Sequence, residues 1–353
     1  MESRLICLTG RGYAEAPSFR RQLAGIALSE GRPDIASVAE YAAGLARRTV
    51  CLTLLAGSGS RWVKSLANAV ERGGAAAKSE ARGFDPARPR GLFPVRDFLL
   101  GGERVPVAAY ALAAVNGLGR HLIVVRGWEA EIDAEILAPL GIESGDRDFF
   151  TQEAPFGKPL GHGDAAWQTR SLWRGADYVV TNFGGDANSR RTILSSLLAL
   201  DALRAIGTAI DLLLPAAPQD SPAYPIRIDE AGLPRSFGHA KLQGLAQARG
   251  PGYTNVGVRA YYAPALLEKA ESIRKRYWVE GRGYAIPGND PEGNEFALDN
   301  IDAELAAEGR ARILAIGRPE ELTPAKSVED LGAFELAMKS VVAEDSDLRA
   351  GPD

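Results

Sequence analysis

Apolar and polar positions change their period several times along the chain. Near-continuous apolar, β-branched runs recur at TVCLTLLAG from Thr49, HLIVVRG from His121, ADYVVTNFGG from Ala176 and TAIDLLLPA from Thr208. Runs of this kind suit strands buried on both faces of a sheet. Between them apolar residues return at helical spacing, which predicts helices over 61–72, 105–119, 129–141, 165–175 and 190–206, with a short strand at RDFFTQ from Arg147. Strands alternating with helices imply an α/β protein: three layers around a mostly parallel mixed sheet, with ligands gathered beyond the carboxyl ends of its strands.

The two ends of the chain read differently. Residues 1–48 hold two helical segments, PSFRRQLAGIALSEG and DIASVAEYAAGLARR, and are expected to form an N-terminal helical extension. From Pro218 the composition shifts to Pro, Gly and polar turns with short strands such as YPIRID, as in a second lobe laid over the sheet edge. The remainder predicts a strand TNVGVRAYY, a helix PALLEKAESIRKRYW, a loop GRGYAIPGNDPEGN, a helix LDNIDAELAAEG, a strand RILAIG and a last helix SVEDLGAFELAMKSVVAED. This divides the chain into 1–48, a first part 49–215, a second part 216–335 of the same domain, and a helix end with polar tail, 336–353.

Composition narrows the function classes. The 353 residues are 46% hydrophobic and 24% charged, ordinary for a globular chain, and the net charge of −4 comes with dispersed Lys and Arg. Neither a nucleic-acid nor a membrane-surface footprint is expected. Two cysteines, Cys7 and Cys51, lack a CxxC partner, and no apolar run approaches the roughly 20 residues that span a bilayer. A cytoplasmic setting is the expectation. Three histidines, His121, His162 and His239, argue against a His-based zinc site.

The most informative chemistry lies in LLAGSGSRW, residues 54–62. A buried strand opens there into Gly57, Ser58, Gly59, Ser60 and Arg61 ahead of a helix. Small residues let backbone N–H groups approach a polyphosphate, the helix N-terminus adds its dipole, and Arg61 adds a cation. The loop lacks the Lys-Ser/Thr of a P-loop, and Trp62 stands where a dinucleotide fingerprint needs its third glycine, which counts against a nicotinamide-dependent enzyme. PRGLFPV (89–95), Gln152 and GHGDAAW (161–167) follow. Trp167 and Trp173 are read as packing, and the Arg190 and Arg191 pair as either a phosphate contact or a solvated helix start.

In their order, LLAGSGSR, PRGLFPV, QEAPFG, GHGD, TNFGGD and TPAKSVEDL resemble the motifs of UDP-sugar pyrophosphorylases over most of residues 50–335. The resemblance implies a Rossmann-like, GT-A nucleotidyltransferase fold and a Mg²⁺-dependent reaction. A sugar 1-phosphate would join a nucleoside triphosphate, UTP favoured, with release of pyrophosphate. It further implies that Leu55, Ala56, Gly57, Ser58 and Gly59 wrap the triphosphate and that Arg61 holds the departing phosphates. Gln152 would meet the base, and Gly161, His162 and Gly163 would line the nucleotide and sugar phosphate. Asp186 would hold the metal, Asn255 and Lys241 would serve the sugar lobe, and Lys326 would reach the reacting phosphates. A second carboxylate would come from Asp299 or Asp302. Ala56, Ser60 and Arg90 replace the family's Gly, Thr and Lys. These changes keep a second class open, a catalytically inactive protein that binds a nucleotide sugar.

Overall fold

A computed structural model describes residues 43–56, 60–71, 88–205, 207–219, 226–228, 234–237, 252–287 and 294–349. Residues 1–42 of the expected extension, the loop glycines Gly57 and Gly59 with Ser58, and the candidates His239 and Lys241 lie outside these. So do the side chains of Ser60 and Arg61.

The described elements, in chain order, are β1 (Thr49–Leu54), α1 (Ser60–Glu71), β2 (Pro94–Arg96), β3 (Arg104–Pro106), α2 (Val107–Val115), β4 (Arg120–Val125), α3 (Glu129–Ile132) and β5 (Arg147–Thr151). Then come α4 (His162–Gln168), α5 (Arg170–Trp173), β6 (Tyr178–Phe183), α6 (Arg190–Ala205), β7 (Leu212–Gln219), β8 (Ile226–Ile228), β9 (Pro234–Phe237), β10 (Gly252–Asn255) and β11 (Arg259–Tyr262). The series closes with α7 (Ala263–Tyr277), β12 (Trp278–Val279), β13 (Gly283–Tyr284), α8 (Leu298–Ala307), β14 (Ala311–Leu314) and α9 (Leu331–Arg349).

Ten strands form one mixed sheet in the order β5-β4-β1-β6-β11-β7-β10-β8-β9, with β14 also paired to β7. β5, β4, β1 and β6 run parallel, as do β7 and β14, while β11 lies antiparallel between β6 and β7. The alternation of strand side chains explains the apolar runs. Leu52, Leu122, Val124 and Val179 face a cluster with Ala165, Leu266 and Ile301 of α4, α7 and α8. On the opposite face Cys51 and Val180 meet Ile193 and Leu197 of α6, while Ile123 and Val125 meet Leu112 of α2 and Phe334 of α9. Among the described residues, no helix is long and apolar enough to cross a membrane.

Several elements depart from the sequence pattern. The expected single strand TNVGVRAYY is two strands, broken where Gly257 takes a φ of 86°. Trp278, expected to end the helix PALLEKAESIRKRYW, instead opens β12, which pairs with β13 at the start of the GRGYAIPGN loop. The GHGD segment is itself helical, because α4 starts at His162 and stops at Gln168 before the short α5. Trp173 is buried and donates from Nε1 to Thr169 Oγ1 at 3.1 Å, and Trp167 lies between the guanidinium groups of Arg170 and Arg274, so both tryptophans serve packing.

Candidate active site

β1, β4, β5 and β6 all end at one edge of the sheet, and the β6 end is the hub of the site. Inside β6, Asn182 is held by Thr53 Oγ1 at 2.8 Å and donates to Ala111 O at 2.9 Å, locking the strand to β1 and α2. Beyond Phe183 the chain turns through Gly184, Gly185 and Asp186, with Asp186 N–H donating to Phe183 O at 3.1 Å.

Three sequence-distant motifs close on this turn. A Cβ on Gly184 would overlap the Leu55 side chain, lying 3.3 Å from its Cγ, so the end of β1 sits directly on the turn. A Cβ on Gly185 would lie 2.6 Å from Arg90 Cζ, which places the PRGLFPV guanidinium directly against the backbone there. The TPAKSVEDL segment docks through Ala325 N–H donating to Gly185 O at 2.8 Å, bringing Lys326 alongside. Asp330 caps that segment by accepting from Lys326 N–H at 3.1 Å and Ser327 N–H at 2.8 Å. The structure thus gathers Leu55, Arg90, Asp186 and Lys326, which span 272 positions of sequence, around one turn of backbone.

The break between β10 and β11 has its physical reason here. Gly257 faces Asp186, and a Cβ on it would overlap Asp186 Oδ2 and stand 2.9 Å from its Cγ. Only a glycine combines that approach with the left-handed backbone. Asn255, the last residue of β10, accepts from Gly257 N–H through Oδ1 at 2.6 Å, and its buried Nδ2 has no hydrogen-bond partner in the described structure. Burial raises the Asp186 carboxyl above its ordinary value, and the charges of Lys326, Arg90 and Arg259 oppose that rise.

On the other side lies the GHGD segment. Gly161 has a φ of 97° and Gly163 would place a Cβ 2.7 Å from the Phe296 ring, so both glycines are required by close packing on Phe296. Gly163 N–H also donates to Phe296 O at 2.8 Å. His162, between them, is well packed: its ring stands edge-on to Phe183 at 5.2 Å, and Nδ1 accepts from Leu298 N–H at 2.8 Å. That bond assigns the neutral tautomer with the proton on Nε2. Burial, with Arg259 nearby, lowers the His162 pKa to about 4 against the opposing pull of Asp299. His162 is therefore a neutral donor at pH 7, with Nε2 3.8 Å from Asp299 Oδ2 and 31% of its side chain still exposed.

Asp164 of the same segment is buried and serves the scaffold, accepting from Tyr284 Oη at 2.5 Å and Gln168 Nε2 at 2.6 Å. Gln152, at the end of β5, is buried and donates through Nε2 to Gly161 O at 3.0 Å. It ties the segment to the sheet edge. The Arg190 and Arg191 start of α6 faces protein carboxylates: Glu321 accepts from Ser189 N–H at 3.0 Å and Asp345 from Arg190 N–H at 2.7 Å.

The residue that the sequence reading passes over is Arg259. It opens β11 as a cation inside an apolar strand, 5% exposed, with Nε on Asp302 Oδ2 at 2.7 Å and Nη2 on Asp299 Oδ1 at 3.0 Å. Burial acts to lower its pKa, but Asp302 and Asp299 reverse that and hold it charged. Asp302 is spent within the core, since its second oxygen accepts from Tyr261 Oη at 2.5 Å. Asp299 is different: its side chain is 55% exposed and reaches toward His162. The signal available in sequence was the lone charge in NVGVRAYY. Among the described residues no three His, Cys, Asp or Glu side chains cluster as a ready-made metal cage. A scan against protein-family models gives no match, and no curated protein is similar enough to identify a relative.

Proposed function

We propose that this chain is a Mg²⁺-dependent nucleotidyltransferase of GT-A-like fold that couples a sugar 1-phosphate to a nucleoside triphosphate, UTP favoured, and releases pyrophosphate. The observation that carries the reading is the convergence of Leu55, Arg90, Asp186 and Lys326 on the Gly184–Gly185 turn at the carboxyl edge of the parallel strands. Ligands collect at this edge in open α/β sheets.

The donor set suits a hard cation that keeps several waters and takes one or two carboxylates besides phosphate oxygens. Asp186 lies against a glycine that leaves room for nothing larger, and Asn255, two positions before that glycine, has a buried Nδ2 without a hydrogen-bond partner among the described residues. Asp186 is the carboxylate that would hold it in this reading, and Asp302 is committed to Arg259 and Tyr261. When bound, Mg²⁺ would neutralise phosphate charge.

In the reaction an oxygen of the sugar phosphate bonds to the α-phosphorus while the α–β bridging bond breaks, its electron pair leaving with pyrophosphate. A phosphate monoester is already a nucleophile, so no general base is needed and the work is positioning and charge. Lys326 and the Nε2–H of neutral His162 approach the reacting phosphates, and Arg90 and Arg61 hold the departing ones. Gly161 and Gly163 let that donor sit close to the sheet edge.

The test is pyrophosphate release with Mg²⁺ across nucleoside triphosphates and sugar 1-phosphates. Turnover with at least one pair is the expected result. If no pair turns over while nucleotide sugars still bind by calorimetry, the chain is a non-catalytic nucleotide-sugar-binding protein.

A further inference from the structure

The first N–H groups of a helix have no partner within it, and a polar side chain at the N-cap ordinarily satisfies one of them. At α6 two buried carboxylates from distant segments do so, Glu321 of the turn Pro319–Leu322 and Asp345 of α9. Glu321 accepts from Ser189 N–H at 3.0 Å, from Thr192 Oγ1 at 2.9 Å and, within its own segment, from Arg318 N–H at 3.0 Å. Asp345 accepts from Ser189 Oγ at 3.0 Å and from Arg190 N–H at 2.7 Å. Both acids therefore bear on one residue, Ser189, which follows Asp186 closely in the chain, just as Glu321 closely precedes Lys326. These bonds join the Asp186 turn, the Lys326 segment and α9.

The two carboxylates share one helix N-terminus, which supplies only about half a positive charge. The charged groups around Glu321 are Arg318 and Glu320 on its own segment, Arg190 and Arg191 on α6, and Glu344 and Asp345 on α9; β7, which also packs on the turn, has none. Arg318 directs its guanidinium to Glu344 at 2.8 Å, Glu320 at 3.4 Å and Ser340 at 3.1 Å. Arg191 Nη2 donates to Glu344 O at 3.3 Å, and Arg190 Nη1 to Asn116 O. Two acids confined in one dry site resist joint ionisation. Burial above all, with the charge of Asp345 adding to it, pushes the Glu321 carboxyl up to about 7.

We propose that Glu321 and Asp345 are positioning residues that clamp the Asp186 turn to the Lys326 segment and α9, and that the clamp is firm while the pair holds one proton and loosens once that proton leaves. The inference rests on the proposed function, in which Asp186 and Lys326 work together. With both acids ionised, repulsion in a water-poor site opposes closure, and water admitted on opening relieves it. The closed form raises the Glu321 value from 4.5 to about 7, so the clamp is strongest below pH 4.5 and weakens as pH rises through 7.

The experiment is hydrogen–deuterium exchange of the full-length chain at pH 6 and pH 8, corrected for intrinsic exchange rates and read by mass spectrometry. Linkage between 4.5 and about 7 makes opening about tenfold easier at the higher pH. Protection over 186–193 and 317–327 should fall about tenfold in wild type, while that of β4 holds, and Glu321→Gln should show no such fall. Constant protection in wild type, an equal fall in β4, or the same fall in Glu321→Gln overturns the proposal. Should Glu321→Gln fail to fold by circular dichroism, Asp345→Asn removes the second charge and must shrink the fall; an undiminished fall there is equally fatal. Pyrophosphate release by wild type with protection independent of pH would sink this inference and leave the proposed function standing. The exchange pattern without turnover would keep the clamp and sink the proposed function.

Discussion

Gly257→Ala tests whether the β10–β11 break exists to admit Asp186. Two costs add at this position. The φ of 86° is left-handed and charges any residue with a Cβ about 1 kcal/mol or somewhat more. The new methyl would also overlap Asp186 Oδ2 and stand 2.9 Å from its Cγ. Overpacking of this kind costs about 1–3 kcal/mol, giving a total of about 2–4 kcal/mol. Gly309 is the internal control, since it has a φ of 71° but nothing within 4 Å of its would-be Cβ, so Gly309→Ala isolates the backbone term. For a chain this long, each kcal/mol lowers Tm by roughly 1–2 °C. Calorimetry should therefore place Gly257→Ala about 2–8 °C below wild type and Gly309→Ala only about 1–2 °C below it. Adding Asp186→Ala should relieve the overlap and return the Gly257→Ala cost to the backbone term. Equal Tm losses for the two single variants, or no relief in the double variant, would refute the placement of Asp186 against Gly257. Function should suffer more than stability, because shifting a site group by roughly 1 Å costs on the order of a hundredfold in rate.

Gly185→Ala pushes on the movable end of Arg90, so stability should change by less than about 1 kcal/mol while pyrophosphate handling worsens; a large fall in Tm with normal kinetics would contradict the contact. Asp186→Asn should lower turnover by at least about a hundredfold, and near-normal activity would move the metal elsewhere. Burial pushes the Glu321 carboxyl from 4.5 up to about 7 at the start of α6. Because the folded value is raised, its contribution to stability is whole below pH 4.5 and is lost as pH rises through about 7. The pH dependence of Tm over that window should flatten in Glu321→Gln, and an unaltered slope would exclude Glu321 as its source.

The strands were legible because burial on both faces leaves a near-continuous apolar run, as in TVCLTLLAG and ADYVVTNFGG. The antiparallel insertion of β11 was not, since pairing direction leaves no trace in such runs. The turn at Gly184–Asp186 was readable as punctuation, but its glycines owe their identity to Leu55 and Arg90, contacts across 129 and 95 positions that local pattern does not encode. The glycines on either side of His162 owe their identity to Phe296, and Leu298 holds the histidine, contacts that the GHGD segment itself does not reveal. That Asp302 is buried against Arg259 and Tyr261 could not be read from LDNIDAEL, because both partners approach from β11. Asp186 is the reverse case: a single acid after a glycine pair at a strand end, found where pattern placed it.

In the reaction proposed above, a sugar phosphate attacks the α-phosphorus of a nucleoside triphosphate at the Asp186 turn. Sugar 1-phosphate labelled with ¹⁸O in its phosphate tests it most directly, with products read by mass spectrometry for wild type and Asp186→Asn. Such an attack leaves pyrophosphate free of label, puts all ¹⁸O in the nucleotide sugar, and makes both products collapse in the variant. Label in pyrophosphate, or full product formation by Asp186→Asn, would contradict it.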